Sequence, residues 1–281
     1  MKILLTGRSG QVGSALEPLL APLGRVAAFD RNGLDLADLP QLRSALARER
    51  PDVIVNAAAY TAVDRAQGDR AAAFAINGEA AGVLGEEAAR LGALLIHFST
   101  DYVFDGTKRS PYFETDEPGP LNVYGESKLA GERAIAASGC RHVILRTSWV
   151  YAASGRNFLL SILAAARAGK PLTVVSDQRG APTSAGMIAG AVLRVLGTPD
   201  CPGGLYHLSA AGETSWFDFA REIVARKGLA TSVTAIASAD YGIVTQRPAN
   251  SLLDNSKLRA AFGIALPDWR EGLAAVLQTM N

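Results

Sequence analysis

The chain has 281 residues, 48% of them hydrophobic, which suits one large α/β domain or a domain with a smaller lobe and excludes disorder. Its 28 basic and 27 acidic side chains leave a formal charge of +1, so no long-range field draws it to nucleic acid or to an anionic membrane. Any anion it holds must be bound locally.

Lys2 to Gly13 reads KILLTGRSGQVG, a short apolar run directly before glycines at Gly7, Gly10 and Gly13. The run predicts a buried strand entering a tight turn. Such a turn needs glycine wherever φ is positive or a diphosphate approaches the backbone, and the next helix presents unpaired N–H groups to that anion. That helix is expected over Gln11 to Leu20, with Pro18 predicting a kink or an early stop. The spacing Gly-x-x-Gly-x-x-Gly alone does not separate a dinucleotide cradle from a structural turn. The second strand, Arg25 to Phe29, ends in Asp30 about twenty residues after the first glycine, where a carboxylate accepts from the adenosine ribose hydroxyls. This turns the reading toward a cradle. A guanidinium at Arg31, or Arg8 inside the turn, suits a 2′-phosphate, so NADH and NADPH both stay open.

From Asp35 the pattern repeats, with a helix through Leu42 and Leu46, a break at Pro51, a strand at Val53 to Val55 and the turn Asn56-Ala57-Ala58-Ala59. Small residues at a strand's carboxyl end let a cofactor lie against the backbone. An Ala-rich helix, Asp69 to Leu91, leads to a fourth strand, Leu94 to Thr100. The alternation predicts a parallel sheet whose ligands lie outside the carboxyl ends of its strands. Ser99, Thr100 and Asp101 then face the same crevice as Gly7 and Ala59. His97, inside the apolar run, reads as a satisfied core histidine.

Pro111 to Leu121 is a proline- and acid-rich loop expected to rim the site. The helix after it carries Tyr124 and Lys128, four residues apart and therefore adjacent on one face. His142 to Thr147 reads as a fifth strand, followed by Trp149 and Tyr151, which either stack on a flat ligand or join the core. Beyond it the alternation loosens. Helical patterns at Asn157 to Arg167, Ser184 to Leu196, Ser215 to Lys227 and Asp268 to Met280 are separated by short strands such as Leu172 to Val175 and Leu205 to Leu208.

The expected fold is α/β, a doubly wound parallel sheet of Rossmann type with a smaller C-terminal α/β substrate lobe. Residues 1–150 form the dinucleotide-binding domain, to which a segment near 184–208 returns, and 151–281 mainly form the lobe. Cys140 and Cys201 fall in no metal spacing and read as reduced thiols. The first apolar run is too short for a signal peptide and no window reaches the ~18 apolar residues of a membrane span, so the expected location is the cytoplasm.

An enzyme that reduces a ketone with a nicotinamide must hold hydride and carbonyl carbon together, stabilise the oxygen as charge develops, and deliver a proton. Tyr124 is the expected proton donor, Thr100 the hydrogen-bond partner of the carbonyl oxygen. Lys128 is expected to favour the phenolate by its charge and to reach the nicotinamide ribose. The bland reading is a surface Tyr–Lys pair.

The glycine spacing, the strand-end Thr100 and Tyr124-x-x-x-Lys128 together resemble the extended short-chain dehydrogenase/reductases. Four further blocks resemble the dTDP-4-dehydrorhamnose reductase family, over nearly the whole chain: Asn56 to Asp64, Ser99 to Phe104, Pro120 to Gly125 and Arg146 to Tyr151. The resemblance implies reduction of the C4 ketone of dTDP-4-dehydro-L-rhamnose to dTDP-L-rhamnose by NADPH or NADH, the last step in making this activated sugar, a precursor of cell-surface polysaccharide. It implies that Gly10, Gln11, Val12, Asp30, Asp35, Leu36, Ala59, Tyr60, Thr61 and Phe98 line the cofactor, with Gly7, Ala57, Ser99, Tyr124 and Lys128 in the same set. Thr100, Asp101, Tyr102 and Trp149 are implied to meet the sugar. The run Arg247 to Ser251 resembles the family's Arg-Pro segment, with Arg247 either facing a diphosphate or paired structurally.

Some members of that family hold Mg2+ at a dimer interface through glutamates, where this chain has Ala15 and Gly186. No Mg2+ is therefore expected there, and the chain is expected to be a monomer or a dimer not bridged by metal. Nucleotide-sugar 4,6-dehydratases and 4-epimerases share the cradle and the Tyr–Lys pair. Dehydratases carry a glutamate where this chain has Tyr102, which argues for simple reduction. A non-catalytic regulatory subunit of the same fold need not keep Thr100, Tyr124 and Lys128, all present here.

Overall fold

A computed structural model of the chain describes residues 1–242 and 245–280. β1 (Lys2–Thr6) leads through the glycine turn into α1 (Gln11–Leu20), followed by β2 (Arg25–Phe29), α2 (Leu39–Glu49) and β3 (Val53–Asn56). Next come α3 (Val63–Ala66), α4 (Arg70–Phe74), a π-helical turn at Ala75–Glu79, α5 (Ala80–Leu91) and β4 (Leu94–Thr100). α6 (Val123–Ala137), β5 (Arg141–Thr147), β6 (Val150–Tyr151) and α7 (Phe158–Arg167) precede β7 (Leu172–Val175), β8 (Arg179–Gly180), β9 (Thr183–Ser184), α8 (Ala185–Leu196) and β10 (Gly204–His207). The chain closes with β11 (Thr214–Ser215), α9 (Trp216–Arg226), β12 (Val233–Ile236), α10 (Ser256–Phe262) and α11 (Trp269–Gln278).

Six strands form one sheet in the order β10-β5-β4-β3-β1-β2, parallel at every pairing. Each inner strand is covered on both faces, which explains the unbroken apolar runs. Alternate residues supply opposite layers. Ile3 and Leu5 pack with Leu16, Leu20, Ile188 and Val192 from α1 and α8, whereas Leu4 packs with Leu42, Leu46, Leu84 and Ile135 from α2, α5 and α6. A further core joins α7, α9 and α11 through Leu159, Phe219, Ile223, Trp269 and Leu273.

The strand order reverses at β1, which pairs with β2 on one side and β3 on the other, so the loops after β1 and β3 diverge and open a crevice. Glycine is obligatory at two points of its floor. Gly7 has φ +72° and packs so tightly that an added Cβ would lie 2.7 Å from the Ala57 carbonyl carbon. At Gly13 the same atom would fall 2.0 Å from the Gly7 carbonyl oxygen, so only glycine lets α1 close on the turn.

Two local expectations are revised, the stop at Pro18 and the unbroken helix after Asp69, while the helix through Leu42 and Leu46 forms as expected. α1 runs through Pro18 to Leu20 and passes into a 3-10 turn at Ala21–Leu23, so no early stop occurs. α2 starts at Leu39 because the Asp38 carboxylate accepts from Gln41 N–H at 2.9 Å and caps the helix there. The helix expected over Asp69 to Leu91 is interrupted by the π turn, for a reason that belongs to the site.

Candidate active site

The cradle is backbone. Gly10 N–H donates to the Gly7 carbonyl at 2.9 Å, the free amides of α1 follow, and no side chain stands over them at Gly7, Gly10 or Gly13. Glycines that let this turn close against β3 and α1, with free helix amides at its open side, fit a dinucleotide diphosphate. Asp30 is partly committed, since its Oδ1 accepts from the N–H groups of Asn32 and Gly33 at 3.0 Å each. The two arginines suited to a 2′-phosphate are held by carboxylates, Arg8 by Glu17 at 2.8 Å and Arg31 by Asp35 at 3.7 Å, and all four side chains reach solvent. Gln11 Oε1 accepts from Asn157, the cap of α7, at 2.8 Å and so ties α1 to the C-terminal part of the chain.

Other expected cofactor residues fall into two groups. Ala57, Ala59 and Tyr60 line the turn after β3, with Val12 at the start of α1 and Thr61 exposed at the rim. Leu36 and Phe98 are buried, packed in the two layers beside the sheet, and the Phe98 carbonyl accepts from Lys128. Ser99 Oγ is buried and without a partner among the described residues.

The three expected catalytic side chains converge at the end of β4. Thr100 closes that strand, α6 is capped by Asn122 accepting from Gly125 N–H at 2.9 Å, and the first turn of α6 then sets Tyr124 beside Thr100. The phenol faces the Thr100 hydroxyl; burial pushes it up to about 12, with that hydroxyl lowering it and the Asp101 charge raising it. Lys128, one turn on, is 2% exposed and burial brings it down to about 8. Its Nζ donates to the Phe98 carbonyl at 2.6 Å and meets His97 Nε2 at 3.2 Å.

His97 is buried and satisfied, yet its partner is the lysine of the site, and burial and that charge hold it well below the usual histidine range. On its other side Asn56 bonds His97 Nδ1 at 3.0 Å and accepts from Thr6 at 2.6 Å, so a buried chain runs from β1 beneath the cradle to Lys128. Asn77 does related work. Its side chain accepts from Tyr60 N–H at 2.8 Å and donates to the Tyr60 carbonyl at 3.0 Å and to Ser127 at 2.9 Å. These bonds clamp the turn after β3 to α6, and the π turn is what carries Asn77 inward to make them.

At the rim, Tyr102 meets Tyr124 edge to face at 5.6 Å. Trp149 is stacked on Trp216 at 3.6 Å and held at φ +49°, so one of its faces is already covered; Tyr151 is core. Arg247 pairs with Asp64 through Nη2 at 2.9 Å, the structural alternative of the two expected for it. Ala15 and Gly186 lie on α1 and α8, which pack together.

Asp101 is 2% exposed, and burial raises its carboxyl from the ordinary 3.8 to about 6, with the nearby Ser251 and Thr100 hydroxyls pulling it back. Between those values the folded protein binds a proton that the unfolded chain releases, so stability falls as pH rises through about 4 to 6, by about 3 kcal/mol in all. Asp101→Asn should therefore gain on the native protein by about that amount between pH 4 and 7.5 in urea melts. A constant difference would mean that the carboxyl ionises normally.

Residues 1–281 match the protein family described as RmlD substrate binding domain. The chain is 47% identical to a dTDP-4-dehydrorhamnose reductase of Burkholderia thailandensis, with 96% of each chain covered. It is 42% identical to one from Escherichia coli K12, over 100% of this chain and 98% of the relative. The structure is similar to the crystal structure of a dTDP-4-dehydrorhamnose reductase from Bacillus anthracis in complex with NADP, with a TM-score of 0.95, 32% identity and 99% of each chain covered.

Proposed function

Because the chain belongs to the RmlD family of dTDP-4-dehydrorhamnose reductases, we propose that it reduces the C4 ketone of dTDP-4-dehydro-L-rhamnose to dTDP-L-rhamnose. The observation that carries this reading is the convergence of Thr100, Tyr124 and Lys128 at one strand end beside a glycine cradle. NADPH or NADH, when bound, supplies the hydride. The turn from Gly7 to Val12, with Asp30 and the Ala57 to Tyr60 turn, holds that cofactor.

The protein's own groups do the rest. Thr100 donates to the ketone oxygen, and Tyr124 gives up its proton to the same atom as charge develops there. A phenol near 12 is too weak an acid to lose its proton early, which keeps it protonated in the waiting enzyme. Lys128 offers its remaining N–H groups to the ribose while the Phe98 carbonyl holds the ammonium in place. Asp101, Tyr102 and Trp149 bind the sugar, and Arg247 exchanges Asp64 for the substrate diphosphate. Residues 1–150, with the 184–208 segment, form the cofactor domain, and 151–281 mainly the substrate lobe. Among the described residues no helix is long and apolar enough to cross a membrane. On this reading the protein works in the cytoplasm as a monomer or a dimer that no metal bridges.

Mixing purified protein, NADPH or NADH, and dTDP-4-dehydrorhamnose is expected to consume one reduced cofactor per dTDP-L-rhamnose formed. A product made without net loss of cofactor would instead assign an epimerase or dehydratase.

A further inference from the structure

Thr100 has one hydroxyl proton and three neighbours on its oxygen. The Tyr102 N–H donates to Oγ1 at 3.1 Å, Asp101 Oδ1 lies at 3.0 Å, and the Tyr124 phenol faces the same hydroxyl. A hydroxyl donates once and accepts twice. An ionised Asp101 can only accept, and the bond to a carboxylate is the stronger one, so it captures the Thr100 proton and leaves nothing to offer a ketone. A neutral Asp101 protonated at Oδ1 donates to Thr100 instead. The hydroxyl then accepts twice, from Tyr102 N–H and Asp101, and its own proton turns toward Tyr124 and the cleft.

We propose that Asp101 is a positioning residue that aims the Thr100 hydroxyl at the substrate ketone when its carboxyl is neutral and turns it away when ionised. This goes beyond contact with the sugar, and it rests on the ketone-reductase assignment. Two further observations support it. Asp101 Oδ2 is buried with no partner among the described residues, an arrangement far less costly for the carbonyl oxygen of an acid than for half of a carboxylate. Among the described residues the groups facing the carboxyl are Thr100 at its own strand end, Tyr102 beside it, Tyr124 from α6 and Ser251 from the segment after Arg247, and no cation among them contributes to its titration. Burial thus favours the neutral acid into the range where an enzyme is readily assayed.

The test is the single-turnover rate of NADPH oxidation by dTDP-4-dehydrorhamnose, from about pH 5 to pH 9, in the native protein and in Asp101→Asn, whose amide cannot ionise. The native rate should fall about tenfold per pH unit on the alkaline side of the Asp101 titration. Asp101→Asn should lack that limb and vary less than about twofold between pH 5 and pH 7, below the range in which Lys128 loses its proton. Thr100→Val, which removes the hydroxyl being aimed, should lose the limb from its residual rate as well. Parallel profiles for native protein and Asp101→Asn, no alkaline limb in the native protein, or a limb surviving in Thr100→Val would each overturn the proposal. NADPH binding followed by fluorescence reports that the variants are folded. Failure of the native protein to reduce the ketone at any pH would refute the reductase assignment instead.

Discussion

Tyr124→Phe should lower turnover of the keto sugar by ~10²-fold or more while leaving NADPH affinity nearly unchanged, a loss of about 2.7 kcal/mol or more in transition-state stabilisation. The phenyl ring keeps the edge-to-face contact with Tyr102, and α6 keeps its Asn122 cap, so the pocket should hold its shape. What disappears is the O–H between Thr100 and the ketone. Steady-state kinetics with a separate cofactor titration checks this. Unchanged turnover would remove Tyr124 from the chemistry, and a parallel loss of NADPH binding would make its role structural.

Arg146→Met should destabilise the protein by about 3–5 kcal/mol, on the order of 10 °C in Tm. Arg146 Nε and Nη2 grip the Glu132 carboxylate at 2.9 and 2.7 Å, with the two side chains 2% and 6% exposed and the guanidinium 4.9 Å from the Phe104 ring. Removing the cation strands a carboxylate in the core, next to the face that carries Lys128. The pair itself need not be stabilising, because desolvating two charges offsets much of their attraction. Glu132→Leu combined with Arg146→Leu should therefore recover most of the loss. Urea unfolding of the single and double variants decides it, and a single-variant cost below about 1 kcal/mol would show that water reaches Glu132.

The parts of this site that were legible from the chain are those encoded by local spacing. Three glycines three residues apart specify a turn whatever the rest of the fold does, and Tyr124 and Lys128 share a face because four residues make about one turn. The end of β4 placed Thr100 correctly because strand ends in a parallel sheet share one edge. Asn56, Asn77 and His97 escaped notice as site residues because their partners come from segments 17 to 50 residues away, which no local pattern records. A signal was present for Asn77, a lone amide in an Ala-rich helix, since a buried amide needs partners. His97 was read correctly as satisfied, but an apolar strand does not say which neighbour satisfies it. The contacts of Lys128 were hidden for a similar reason. Helix geometry puts its stem beside Tyr124, while the Phe98 carbonyl, reached only through the fold, decides where Nζ ends.

The wide turn at Ala75–Glu79 has one consequence for how the chain tolerates insertions and deletions. Relative to regular winding it holds a surplus residue, and each helical residue advances the chain by about 100°. Losing a single codon there would tidy the hydrogen-bond ladder yet swing α4 through more than a quarter revolution against α5, pulling Asn77 off Tyr60 and Ser127. Gly131 sets the opposing limit, since a methyl on it would sit 2.1 Å from the Asn77 carbonyl oxygen. The irregularity therefore acts as a vernier between two helices, and a length change in this stretch has to be matched by repacking on α6.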